Sequence, residues 1–127
     1  MTVDPANTNV LIVDDYKTML KVIRSLLAQI GFKNVDEATD GAMALEVMKH
    51  KKFHLVISDW NMEPMTGLDF LKTVRASGDN VPFIMVTAES KTDNVIAARQ
   101  AGVNNYIVKP FSAEVLKTKI AAVLGSF

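Results

Sequence analysis

The chain has 127 residues, 49% of them hydrophobic, with 14 basic residues against 14 acidic ones and no cysteine. That length fits one domain with a real core. The even charge leaves no basic footprint of a nucleic-acid binder, and the missing thiols exclude disulfides, thiolate metal sites and thiol catalysis.

The polar start, Met1 to Asn9, lacks the apolar segment of a signal peptide. No run approaches the ~20 apolar residues of a bilayer span. A cytoplasmic monomer with no nucleic-acid or membrane partner is expected, with a polar tail over 1–8 and one domain over 9–127. Asn9 to Val13 is a strand running into Asp14-Asp15. Lys17 to Ile30 carries Met19, Val22, Ile23, Leu26, Leu27 and Ile30 at helical spacing and stops at Gly31. Asn34 to Ala38 is a short strand, and Asp40 to Lys51 a helix with Ala44, Leu45 and Met48. Leu55 to Ser58 is a strand ending at Asp59. Thr66 to Asp69 forms a capping-box signal for a helix with Leu68, Leu71 and Val74. Val81 to Val86 is a strand ending at Thr87. Ser90 to Asp93 opens an Ala-rich helix that stops at Gly102. Asn105 to Val108 is the last strand and runs into Lys109-Pro110. Ser112 caps a final helix with Val115, Leu116, Ile120, Val123 and Leu124 facing inward and Gly125 past its end.

Five strands alternating with five helices imply an α/β fold, a doubly wound (βα)5 with a parallel sheet covered on both faces. With sheet order 2-1-3-4-5, ligands belong outside the carboxyl ends of the strands, where the order reverses. The first and third strands flank that point, and they end in Asp14-Asp15 and Asp59. Three neighbouring carboxylates need a cation to stay ionised together, and a small all-oxygen site suits Mg²⁺. A carboxylate can then attack a phosphoryl group to give an acyl phosphate. Lys109, Thr87 and the backbone at Ala88 can hold the phosphoryl oxygens. Neither GxxxxGK[ST] nor GxGxxG occurs, so ATP is not expected as a direct donor.

The motifs Asp14-Asp15, Asp59, Thr87-Ala88 and Lys109-Pro110-Phe111, in order at strand ends, resemble the receiver domain of two-component response regulators from Asn9 to Leu124. Ser58 to Met62, Met85 to Glu89, Ala97-Ala98 with Gln100 to Gly102, and Tyr106 with Val108 to Phe111 resemble the chemotaxis type. The resemblance implies a flavodoxin-like fold and a signalling protein that catalyses only its own phosphorylation and dephosphorylation. Asp59 would take a phosphoryl group from a CheA-like sensor histidine kinase. Asp15, Asp59 and the Asn61 carbonyl would bind Mg²⁺, with Asp14 acting through water. Lys109 would contact the phosphoryl group, Thr87 would move toward it, and Tyr106 would turn inward. Asn61 and Glu89 would tune dephosphorylation. Lys91, Val95, Arg99, Val103, Tyr106 and Lys119 would form the partner surface, with the flagellar motor switch as target and a phosphatase as a further partner. A cis Lys109-Pro110 bond is expected on the same ground.

Departures from the usual pattern are Glu63 followed by Pro64, Thr66 before the loop glycine, Tyr16, Thr92 and Arg99. They leave the partner open, so a phosphate sink or a non-flagellar regulator is a close alternative. Read alone, Asp14-Asp15 is also compatible with a helix cap, with Asp15 favouring the helix N-terminus. A Mg²⁺-dependent phosphohydrolase is a further reading. Asn61 weakens it, because haloacid-dehalogenase phosphatases usually carry a second Asp there. A flavodoxin-like nucleotide binder is disfavoured because Asp14-Asp15 would repel phosphate. Trp60 is expected at the rim of the site, and His50 and His54 as solvated residues.

Overall fold

The computed structural model describes residues 4–88, 92–125 and 127. The elements, in chain order, are β1 (Asn9–Val13), α1 (Lys17–Ile30), β2 (Asn34–Ala38), α2 (Gly41–His50), β3 (Leu55–Asp59), α3 (Gly67–Ala76), β4 (Phe83–Thr87), α4 (Thr92–Gln100), β5 (Asn105–Val108) and α5 (Ala113–Leu124). The strands form one parallel sheet of order β2-β1-β3-β4-β5. This is the doubly wound (βα)5 arrangement expected from the alternation of apolar runs and helix-period segments.

The inner strands β1, β3 and β4 are nearly continuous in apolar residues because both faces of the sheet are covered, whereas the edge strand β2 carries Asn34, Asp36 and Glu37. Successive side chains then point to opposite faces. Val10, Ile12, Leu55, Ile57, Ile84, Val86 and Ile107 pack with Leu20, Ile23 and Leu27 of α1 and Leu116 and Ile120 of α5. The alternate residues Leu11, Val13, Val56, Phe83 and Met85 pack with Ala44 of α2 and Phe70, Leu71 and Val74 of α3. Two expected inward residues lie elsewhere. Val22 and Val115 are each 43% exposed, because the stripes facing the sheet run through Leu20-Ile23-Leu27 and Leu116-Ile120 and leave these valines on the flanks.

The punctuation works as its chemistry suggests. Gly31 ends α1 at φ 117° and donates its N–H to Leu27 and Ala28 carbonyls. Glycine reaches that left-handed region without steric penalty. The side chains of Asp40, Thr66 and Ser112 accept from the N–H groups of Met43, Asp69 and Val115, capping α2, α3 and α5. The cap expected at Ser90 lies outside the described residues. Ahead of β1, Pro5–Asn7 form a 3-10 turn capped by Asp4, and Asn34 donates to the Ala6 carbonyl. No described helix is long and apolar enough to cross a membrane.

Candidate phosphoacceptor and metal site

Because the sheet is parallel, every strand delivers its last residue to the same edge. The register places Val13 opposite Ser58, so Asp14 and Asp59 follow adjacent strands at nearly the same height. Asp14, Asp15 and Asp59 each offer a carboxylate oxygen within 4.8 Å of the others. Lys109, one residue past β5, reaches across the end of β4. Its Nζ lies 3.2 Å from Asp59 Oδ1 and 3.6 Å from Asp14 Oδ2. Its backbone N–H donates to the Thr87 carbonyl at 2.8 Å, which ties the β5 end to the β4 end. The Lys109-Pro110 bond is cis, as expected, and Glu63-Pro64 is cis as well.

Asp14 and Asp59 are 1% and 6% exposed, whereas Asp15 is exposed. Burial pushes both buried carboxyls above the usual carboxylate range. Around Asp14 the Tyr16 N–H and Lys109 pull the other way, while Asp59 and Asp15 add to the rise. Around Asp59, Lys109 and the Trp60 N–H oppose the rise. The Tyr16 N–H donates to Asp14 Oδ1 at 2.9 Å. The N-cap of α1 is Tyr16, which makes no side-chain cap. The capping reading of Asp15 is therefore not what the chain does. The acidic pair is placed by the strand end, and it is Asp14 that orders the turn into α1.

The other Asp14 oxygen, Oδ2, is buried and has no hydrogen-bond partner. Its counter-charge among the described residues is Lys109 Nζ at 3.6 Å, beyond hydrogen-bond reach and shared with Asp59, so one ammonium faces three carboxylates. Three clustered carboxylates, one oxygen orphaned and no sulfur or imidazole among them, fit a hard divalent ion such as Mg²⁺.

The loop after β3 shapes the rest. An open cleft of about 860 Å³ beside the cluster is lined by Asp15, Asn61, Met62, Glu63, Pro64 and Thr66. Gly67 holds this loop against the end of β3, with its N–H donating to the Trp60 carbonyl at 2.8 Å. A Cβ at Gly67 would collide with the Asp59 carbonyl oxygen and come within 2.9 Å of Met85 Sδ. That structural demand was not drawn from the sequence, although a glycine directly after a capping threonine was its signal.

Thr87 is buried at the end of β4, and Ala88 beyond it is exposed. Thr87 lines a cavity of about 10 Å³ with Trp60, Met85, Asn94, Val95, Ala98 and Tyr106. Trp60 is half-buried there rather than placed at the rim. Lys119 Nζ sits 5.3 Å from the centre of the half-buried Tyr106 ring. Val95 and Val103 are half-buried near it, and Arg99 is exposed on α4. Glu89 and Lys91 lie outside the described residues. The structure thus gathers Asp14, Asp15, Asp59 and Lys109 into one site. Thr87 and Tyr106 line a neighbouring cavity.

A five-stranded doubly wound sheet with an acidic cluster and a lysine at its carboxyl edge is the architecture of a phospho-signalling receiver. The chain belongs to the response regulator receiver domain family, whose model matches residues 10–121. It is 51% identical over 113 residues to the chemotaxis protein CheY of Pseudomonas aeruginosa, covering 87% of this chain and 91% of that protein. It is 48% identical over 116 residues to CheY-3 of Vibrio cholerae, covering 90% and 89%. Among solved structures it is similar to Vibrio cholerae CheY4 crystallised at low pH. There the TM-score is 0.86 at 33% identity, with 92% and 98% of the two chains covered.

Proposed function

We propose that Asp59 accepts a phosphoryl group from a phosphohistidine of a sensor histidine kinase, and that this chain signals by changing its binding to a target protein. The observation that carries the reading is the acidic cluster itself. Three carboxylate oxygens lie within 4.8 Å of one another, with Lys109 Nζ 3.2 Å from Asp59.

An Asp59 oxygen attacks phosphorus, the P–N bond breaks, and the imidazole leaves with the electron pair and takes up a proton. Asp14, Asp15, Asp59 and the Asn61 carbonyl are the residues that would hold Mg²⁺. Bound there, the ion neutralises charge on the phosphoryl oxygens and lets the acidic cluster approach an anion. Lys109 pairs with a phosphoryl oxygen as a point charge, and Thr87 and the Ala88 N–H donate to the others. No substrate is turned over. The only reactions are this chain's own phosphorylation and its hydrolytic reversal, with Asn61 and Glu89 setting the pace of the latter.

Output follows from packing. The cavity between Thr87 and Tyr106 has room for one water at most and is far too small for a phenol ring. Tyr106 turns inward only when Thr87 moves toward the phosphoryl group, which makes the pair a two-state element. The face built from Val95, Arg99, Val103, Tyr106 and Lys119 then presents two surfaces to a partner. By likeness to its chemotaxis relatives, that partner is the flagellar motor switch and the protein works in the cytoplasm.

The test is incubation with acetyl phosphate and Mg²⁺, followed by mass spectrometry. The expected result is one hydroxylamine-labile phosphate on Asp59, lost on chelation and in Asp59→Asn. Sustained turnover of phosphomonoesters would replace this reading with a hydrolase. Modification without any change in affinity for a motor-switch protein would leave a phosphate sink.

A further inference from the structure

A large cleft among the described residues lies at the opposite edge of the sheet from the acidic cluster. It has about 910 Å³ and is formed by the end of α2, the lead into β3, the α3–β4 loop and the end of α5. That volume is within the range of ligand sites. Its floor is apolar, with Met48, Phe53, Val81, Pro82 and Leu124. Its ionisable lining consists of Lys49, Lys51, Lys52, His50 and His54, with Asp79 as the one acid.

Most of these charges are already matched. Glu46 takes Lys49 at 3.4 Å and His50 at 3.3 Å, and Asp36 takes Lys51 at 3.2 Å. The Asp79 carboxylate accepts the Val81 N–H at 2.9 Å and lies beside Arg75. Lys52 is exposed and has no ion pair among the described residues. His54 Nδ1 accepts the Asn9 N–H at 2.9 Å, so a neutral imidazole must carry its proton on Nε2. The surplus of this cleft is therefore one ammonium and one N–H donor.

Both are held by a fastened backbone. His54 N–H donates to the Asn9 carbonyl at 2.8 Å, and Asn9 Nδ2 donates to the Lys52 carbonyl at 3.1 Å. The His54 donor is thereby organised in advance beside an apolar floor, and such order lowers the entropic cost of binding, whereas the Lys52 ammonium is a flexible point charge anchored at its backbone.

We propose that this cleft docks an acidic segment of a partner protein. An apolar side chain would sit on Met48, Phe53 and Val81, and a neighbouring carboxylate on Lys52 Nζ and His54 Nε2. Charge complementarity selects this occupant: with Lys49, Lys51 and Asp79 already engaged, the cleft is left with the Lys52 ammonium and the His54 N–H, both of which a carboxylate satisfies. Leu55, at the start of β3, follows the cleft directly, and Asp59 ends the same strand. Four residue steps of about 3.3 Å separate them. The proposed contact thus lies at the far end of β3 from Asp59 and uses none of the residues of the acidic cluster.

The test is a titration of the full-length ¹⁵N-labelled protein with a capped peptide of alternating glutamate and leucine, followed by NMR. The expected result is saturable shifts confined to residues 48–54 and 79–82 and to the His54 ring. Lys52→Glu should weaken binding about tenfold and His54→Gln about threefold, as losses of a charged and a neutral hydrogen bond. Asp59→Asn should bind as the natural chain does, so the outcome does not hinge on the phosphoacceptor reading. Shifts spread over all lysine-bearing surfaces would overturn the proposal, as would equal binding of a lysine–leucine peptide. Equal binding of N-acetylglutamate would point to a small carboxylate ligand and overturn it too. If Lys52→Glu unfolds by circular dichroism, Lys52→Gln replaces it, and unchanged affinity there is equally fatal.

Discussion

Replacing Gly67 by alanine tests how the β3–α3 loop positions the acceptor. Gly67 is buried, opens α3 and donates its N–H to the Trp60 carbonyl. The added methyl would meet the Asp59 carbonyl oxygen inside van der Waals contact, with Asp59 C at 3.0 Å and Met85 Sδ at 2.9 Å. The methionine can give way, but the backbone carbonyl cannot move without carrying Asp59 along. Overpacking costs typically ~1–3 kcal/mol, and collision with main chain belongs at the top of that range. At an unfolding entropy of about 2.1 cal/mol/K per residue, ~3 kcal/mol lowers the melting temperature of such a chain by roughly 11 °C. Calorimetry reads that shift. Phosphorylation by acetyl phosphate reads the displacement of Asp59, and a loss of at least about tenfold is expected, since small misplacements at a reacting centre cost heavily. A variant that melts within about 3 °C of the natural chain, at ~1 kcal/mol or less, and is phosphorylated normally would refute the reasoning.

Four further outcomes follow from the charges and from one arginine. Burial holds the Asp14 and Asp59 carboxyls above their ordinary values, so their contribution to stability is full below about pH 4. It is lost as pH rises through the raised values. Asp59→Asn should therefore raise the melting temperature at pH 7 and change it little at pH 4; a loss of stability at pH 7 would contradict this. Mg²⁺ should stabilise the natural chain at neutral pH by ~1.4 kcal/mol at ten times its dissociation constant, and much less at pH 4, as read by thermal shift. Lys109→Met strands the two buried carboxylates without a cation. A loss of about 2 kcal/mol at pH 7 is expected, below the usual cost of a broken buried pair because the lysine is 27% exposed; urea titration measures it. Arg75 donates to the Gly102 carbonyl twice, to the Asp79 carbonyl and to Asn104 Oδ1. Arg75→Lys cannot keep that fork, and should cost about 1–2 kcal/mol in the same assay with phosphorylation unchanged.

The parts of this chain that follow a local rule were legible in its residues. Strand runs, glycine stops and side-chain caps need only neighbours, and the carboxyl-edge site follows once parallel strands are inferred. What was not legible depends on distant contacts. No spacing connects Arg75 to Gly102 and Asn104, which meet only when the α3 end packs on the approach to β5. His54 is exposed, as its sequence context suggests, but nothing local shows that the start of β1 supplies its ring with a donor. Val22 and Val115 fit a helical stripe by count, but the angle at which each helix lies on the sheet decides which edge of a stripe stays wet. Trp60 shows the same limit, since its half-burial depends on α4 and β5 as much as on its own loop.

The reach of Lys109 over β4 bears on how the chain comes to be competent. Its ammonium meets carboxylates supplied by β1 and β3, and its N–H meets Thr87 at the end of β4. No fragment that ends before β5 can assemble this site, and no fold with a slipped β1–β3 register can present Asp14 and Asp59 at one height. On the proposed reading, acceptance of a phosphoryl group at Asp59 therefore requires completed folding, and a half-made or misregistered molecule lacks the site that would switch it on.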